Sequence, residues 1–99
     1  MKKVVDFKIK ENSWLAAIAA KKLGKKQVAM VLGNTIHLAN TSKEEFLQNI
    51  RWVKHETCHV SQYRRYGFIG FLSRYLWESL KNGYTNNKYE VEARMAENL

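Results

Sequence analysis

The chain contains no proline, a single cysteine and nine acidic residues against seventeen lysines and arginines. Complete absence of proline is unusual at this length. With Cys58 alone, no internal disulfide can form. No long apolar run is present: the most apolar stretch, Phe68 to Leu80, is too short to span a bilayer and is broken by Arg74 and Glu78. Met1-Lys2-Lys3 leads into charged alternation and not into the apolar core of a secretory signal, so a cytoplasmic protein is expected. A length of 99 residues implies one domain, 1–99, with one modest core, and excludes a two-lobed protease with a deep cleft.

What is present points to a folded domain. Apolar residues make up 45% of the chain and twelve residues are aromatic. The formal charge of +8 is uneven. Eight lysines (Lys2, Lys3, Lys8, Lys10, Lys21, Lys22, Lys25 and Lys26) stand in the first 26 residues against Asp6 and Glu11, and the remainder is close to balanced. Such an end can attract nucleic acid, anionic membrane or acidic protein. Lysine outnumbers arginine there and no aromatic–basic recognition motif accompanies it, so a solvated surface without specific nucleic-acid binding is expected.

Val5, Phe7 and Ile9 alternate with charged residues and predict a half-buried strand. Asn12 and Ser13 offer an N-cap to a helix over Trp14–Leu23, which Gly24 ends. Gln27 to Leu32 reads as a buried strand, Gly33-Asn34 as a hairpin turn, and Thr35 to Leu38 as a return strand at an edge. The first two strands are expected to be parallel through a right-handed crossover. Ser42 with Glu45 forms a capping box that opens a helix from about Lys43 to about Tyr66. One stripe of that helix (Phe46, Ile50, Val53, Thr57, Val60) should face the sheet; Gln48, Arg51, His55, His59 and Gln62 form the other. After a break at Gly67–Gly70, a helix reaches Asn82-Gly83 with core aromatics and no visible chemistry. Asn86-Asn87 caps a last helix from about Lys88. The fold class is α+β: a small three-stranded mixed sheet, a backing helix, a long central helix and C-terminal helices.

That central helix carries His55-Glu56-Thr57-Cys58-His59, or His-Glu-x-x-His. Residues four apart share a helical face, so both imidazoles can aim at one metal ion. Glu56 flanks that face and can reach a water without ligating the metal. The same pattern can arise by chance on an amphipathic helix. A catalytic zinc needs a third ligand, and downstream stand Glu78, Glu90, Glu92 and Glu97. Glu90 and Glu92 point to roughly opposite sides of a helix. The small Ala93 on Glu90's side would let two helices approach, whereas an Asn87–Glu90 capping pair would hold Glu90 back. Residue chemistry leaves both open, with a slight preference for Glu90.

His55-Glu56-Thr57-Cys58-His59, together with Gln62 and Tyr89-Glu90-Val91-Glu92-Ala93-Arg94, resembles the gluzincin metallopeptidases, and most closely their minigluzincins and related single-domain proteins. The resemblance implies a minimal zincin-like fold in which a C-terminal helix supplies the glutamate. In that family a small residue stands three places after the ligand glutamate, which maps onto Glu90 and Ala93. His55, His59 and Glu90 would then hold Zn²⁺, with Glu56 as general base. Many members next carry an Asp that supports a metal histidine; here Arg94 stands instead. An oxyanion-stabilising residue is also implied, with Tyr84 and Tyr89 as candidates.

Two functions are expected. One is a zinc metallopeptidase in which Glu56 takes a proton from a metal-activated water, the peptide lying along edge strand 35–38. The other is an inactive zincin-like binding or scaffold module with a structural or vestigial metal site. Of the remaining polar residues, Gln62 can orient a ligand histidine or be a plain surface residue. His37 and Cys58 read as an ordinary strand histidine and a small buried side chain, and Arg64 and Arg65 as solvated surface.

Overall fold

Ser13 starts the first helix: its hydroxyl accepts from the Ala16 amide in a computed structural model that describes residues 6–99. Val5, Lys2 and Lys3 of the predicted first strand and basic end lie outside the described residues. The element order is β1 (Lys8–Lys10), α1 (Trp14–Leu23), β2 (Val28–Leu32), β3 (Thr35–Ala39), α2 (Lys43–Gln48), α3 (Ile50–Tyr66), α4 (Phe68–Asn82) and α5 (Lys88–Ala96). Gly24 ends α1 in the left-handed region, as its lack of a Cβ permits.

The three strands form a mixed sheet in the order β1-β3-β2. The Gly33-Asn34 turn closes an antiparallel hairpin with Leu32 opposite Thr35, and Gly33 supplies the positive φ of 66°. β1 pairs in parallel with β3, with Ile9 opposite Ile36. Two expectations are therefore corrected. The first two strands are neither neighbours nor parallel, and Thr35–Leu38 is the central strand. Both edges of β3 are paired, so it cannot take up a peptide, and the free edge beside the helices belongs to β2. Hydrophobic periodicity selects which side chains are buried but not which strand sits in the middle.

Alternate residues of the sheet face two layers. Val28 and Ala39 meet Ala16 and Ala20 of α1, whose small side chains let helix and sheet approach closely. Val31, Ile36 and Leu38 face the main core of Phe46, Val60, Tyr63, Phe71 and Tyr89.

The predicted Lys43–Tyr66 helix is two helices. The Ser42–Glu45 capping box is present, but the chain kinks at Asn49 (φ −92°, ψ 88°). There Asn49 accepts from the Trp52 amide and caps α3 afresh. The kink turns Ile50 out to solvent, although Phe46 and Val60 are fully buried. His59 and Gln62, placed by their pattern on the less apolar face, are also buried. What covers them is α5, which lies on α3 through Ala93, 0% exposed. No helix among the described residues is long and apolar enough to cross a membrane.

Candidate metal centre

α3 presents His55 and His59 one turn apart, and α5 brings Glu90 against both. Glu90 Oε1 lies 3.1 Å from His55 Nε2 and 3.1 Å from His59 Nε2. One ligand atom from each of the three residues falls within 4.8 Å of the others. Together they form a cluster that can hold a metal ion. Two imidazoles and a carboxylate are donors that suit Zn²⁺.

The remaining ring nitrogens are also engaged. His55 Nδ1 lies 2.7 Å from Glu97 Oε2, and His59 Nδ1 lies 2.8 Å from Gln62 Oε1. All four ring nitrogens of the pair thus face an oxygen acceptor. A neutral imidazole has one N–H only, so the cluster needs either extra protons or a cation at the point where the Nε2 atoms meet Glu90. When Nδ1 donates to Glu97 and to Gln62, each Nε2 carries a lone pair towards that point. The donor set therefore fits a divalent metal.

The electrostatics express the same demand. Burial alone would lower the His55 pKa, but its hydrogen bonds to Glu90 and Glu97 and the charge of Glu56 outweigh burial and push it up to about 9. His59 is raised by the same kinds of contact against its own burial. Burial would raise Glu90, yet its bonds to the two histidines hold it well below the usual carboxylate range.

Glu90 is delivered by a buried amide. Asn87, 0% exposed, accepts from the Tyr89 amide and donates to the Tyr75 carbonyl and the Ser79 hydroxyl. It caps α5 and stitches the helix start to α4, leaving Glu90 free; no Asn87–Glu90 capping pair competes. Glu92 takes a different place. It accepts from Gln62 Nε2 at 2.6 Å and lies 3.8 Å from Arg65. Gln62 also donates to the Tyr89 carbonyl, so its amide is held with Oε1 towards His59.

Three contacts were not foreseen from the sequence. Glu97, at the C-cap of α5, partners His55. Arg94 instead donates to the Thr85 carbonyl. The signal available was spacing: seven residues put Glu97 two turns from Glu90 on one helical face. Tyr75 of α4, a helix read as having no chemistry, donates its hydroxyl to Glu90 Oε2. Lastly, Glu92, which lies beside the basic Arg65, is also tied to α3 through Gln62.

Glu56 is 6% exposed and lines the cleft beside the cluster without an ion-pair partner among the described residues. Its burial raises the carboxyl pKa to about 7, partly offset by His59 and His55. Tyr84 lines the same cleft, and burial pushes its phenol up to about 12. Tyr89 is buried in the core and does not reach it. His37 is paired with Ser13 at 2.8 Å, away from the cluster. Cys58 is half-buried with its thiol pushed up to about 11 by burial, so it is a poor thiolate.

No family model matches the chain, and neither the curated proteins nor the solved structures contain a significant match to it.

Proposed function

We propose that this protein is a zinc-dependent peptidase with a minimal zincin-like fold of the gluzincin kind. One observation carries the reading. Three ligand atoms from His55, His59 and Glu90 converge at a cleft in which the buried Glu56 carboxylate has no ion-pair partner. His55, His59 and Glu90 would hold the zinc, which when bound would polarise a carbonyl and acidify a water. Glu56 would accept a proton from the attacking water and return it to the leaving amine, a task suited to a carboxyl group whose pKa sits near neutrality. Tyr84 stays protonated at neutral pH and donates to the carbonyl oxygen as negative charge develops there. Peptide backbone pairs with the free edge of β2, which forms one wall of the cleft.

The test combines metal content with turnover. Purified wild type should hold one zinc per chain and cleave unfolded protein or peptide substrates. Glu56→Gln should keep the zinc and lose at least about a hundredfold in rate, the scale of general-base catalysis. Retained zinc with no cleavage by wild type would instead support the scaffold alternative, and absence of zinc binding would sink both.

A further inference from the structure

The cleft is continuous along β2 but chemically unequal at its two ends. Two cavities share Leu23, Val28, Ala29, His55, Glu56 and Tyr84, so they join beside the metal cluster. Towards the C-terminal end of β2 the cavity, about 290 Å³, is walled by Leu32, Phe71, Leu72 and Leu76. Towards its N-terminal end the second cavity, about 550 Å³, is lined by Lys25, Gln27, Asn49 and Arg51, with Glu97 beside Arg51 and Glu56 at the junction. Lys25 has no ion pair among the described residues, and Arg51 leaves 66% of its side chain exposed while bonded to Glu97.

Resting on the peptidase reading, we propose that this cleft selects a peptide with a large apolar side chain on the N-terminal side of the cut and a carboxylate on the C-terminal side. An apolar side chain entering the α4 end leaves water for a wall of leucine and phenylalanine. A carboxylate at the other end meets the unpaired Lys25 ammonium, while Arg51 is already engaged by Glu97, so the selection there rests on Lys25. Polarity along the chain comes from strand pairing. A peptide antiparallel to β2, the slightly more stable ladder, starts near Leu32 and ends near Val28. Residues 28 to 32 span roughly 13 Å at about 3.3 Å per residue, so the two groups stand two to four residues apart. Acidic side chains and a free chain end offer the same carboxylate chemistry.

Binding separates this proposal from turnover. Fluorescence anisotropy on the zinc-treated Glu56→Gln protein would use dye-labelled octapeptides with a leucine and, three residues on, Glu, Gln or Lys, all C-terminally amidated. A Gln peptide with a free C-terminus at the same position distinguishes chain end from side chain. The Glu peptide should bind about tenfold more tightly than the Lys peptide at low salt, with the difference shrinking as salt rises. Lys25→Glu should remove or reverse that preference. Leu76→Lys, at an exposed wall position, should weaken all peptides without altering the charge preference. A reversed sequence should bind less well. Equal affinity for Glu and Lys peptides, an unchanged preference in Lys25→Glu, tighter binding of the reversed peptide or no peptide binding at all would overturn the proposal. The predicted preference without cleavage by wild type would leave the order of the two groups in the bound peptide standing and remove the peptidase reading, and with it the cut between them.

Discussion

Glu97→Ala separates support of a metal ligand from ordinary helix-end packing. Glu97 Oε2 accepts from His55 Nδ1 at 2.7 Å, and its Oε1 lies 3.2 Å from Arg51. With zinc bound, the first contact fixes the ring and keeps the lone pair on Nε2. Removing a partner of this kind costs roughly 10–100-fold in metal affinity, about 1.4–2.8 kcal/mol. The Glu97 side chain is 22% exposed, so water can replace part of what is lost. The lower half of that range, about 10–30-fold, is expected for Glu97→Ala. Glu97→Gln keeps an acceptor but drops the charge and should lose roughly 3–10-fold. Arg51→Ala removes the other partner of Glu97 and leaves His55 supported, so about threefold or less is expected, as for an exposed pair. The assay is competition for zinc against a chromogenic chelator at fixed pH, with circular dichroism confirming the fold. Wild-type affinity in a folded Glu97→Ala protein would refute the argument. Equal losses in Glu97→Ala and Arg51→Ala would refute it too, because the common factor would then be the packing of the α5 end.

The two downstream glutamates should part company. Glu90→Ala should abolish stoichiometric zinc, as His59→Ala should, whereas Glu92→Ala, which touches the site only through Gln62, should lose less than about tenfold; comparable losses in the two glutamate variants would contradict this. Metal-free protein should lose stability as pH rises. His55, raised from 6.5 to about 9, and Glu56, raised from 4.5 to about 7, both hold protons more tightly folded than unfolded. Their contributions are full below those lower values and lost as pH climbs through the higher ones, so the urea midpoint should fall between about pH 6 and 9. A midpoint that rises over that span would be inconsistent with the sign. The lysine-rich end should bind nucleic acid weakly and without sequence preference, with affinity falling steeply in salt; tight selective binding in filter or anisotropy assays at physiological salt would overturn this.

Much of the chain could be read locally, and what could not is long-range. α1 runs from Trp14 to Leu23 between Ser13 and Gly24 because each end has its own chemistry within a few residues. The Gly33-Asn34 hairpin and the capping box at Ser42 are legible for the same reason. Asn49 was not, because apolar spacing runs on across it. A mid-pattern asparagine whose side chain can cap the next turn is the clue, and it competes weakly with the period. Sheet order and the cover over His59 depend on which element lands on which, and α5 settles the second by burying a face that its own composition calls polar. The apolar run of β2 belongs in part to a cleft wall, not wholly to a core, so hydrophobicity alone could not separate interior from cleft lining.

The way the site is built bears on whether it serves only to hold the fold together. A structural zinc is normally closed off by four protein ligands, whereas catalytic sites keep one position open. Among the described residues three donors converge, and the cleft reaches all of them. Stability does not account for Glu56. A buried carboxyl group with its pKa raised to about 7 opposes folding wherever it must ionise, and an apolar residue of similar size would serve a scaffold at least as well. The neighbouring polar groups are spent on orientation: Gln62, Glu97 and Tyr75 each hold a residue of the cluster, and Glu92 holds Gln62. Glu56 faces the cleft beside the cluster with no ion-pair partner among the described residues. A buried carboxyl group raised to about 7 beside a metal-competent cluster costs stability and is the feature that the proposed proton transfer would use.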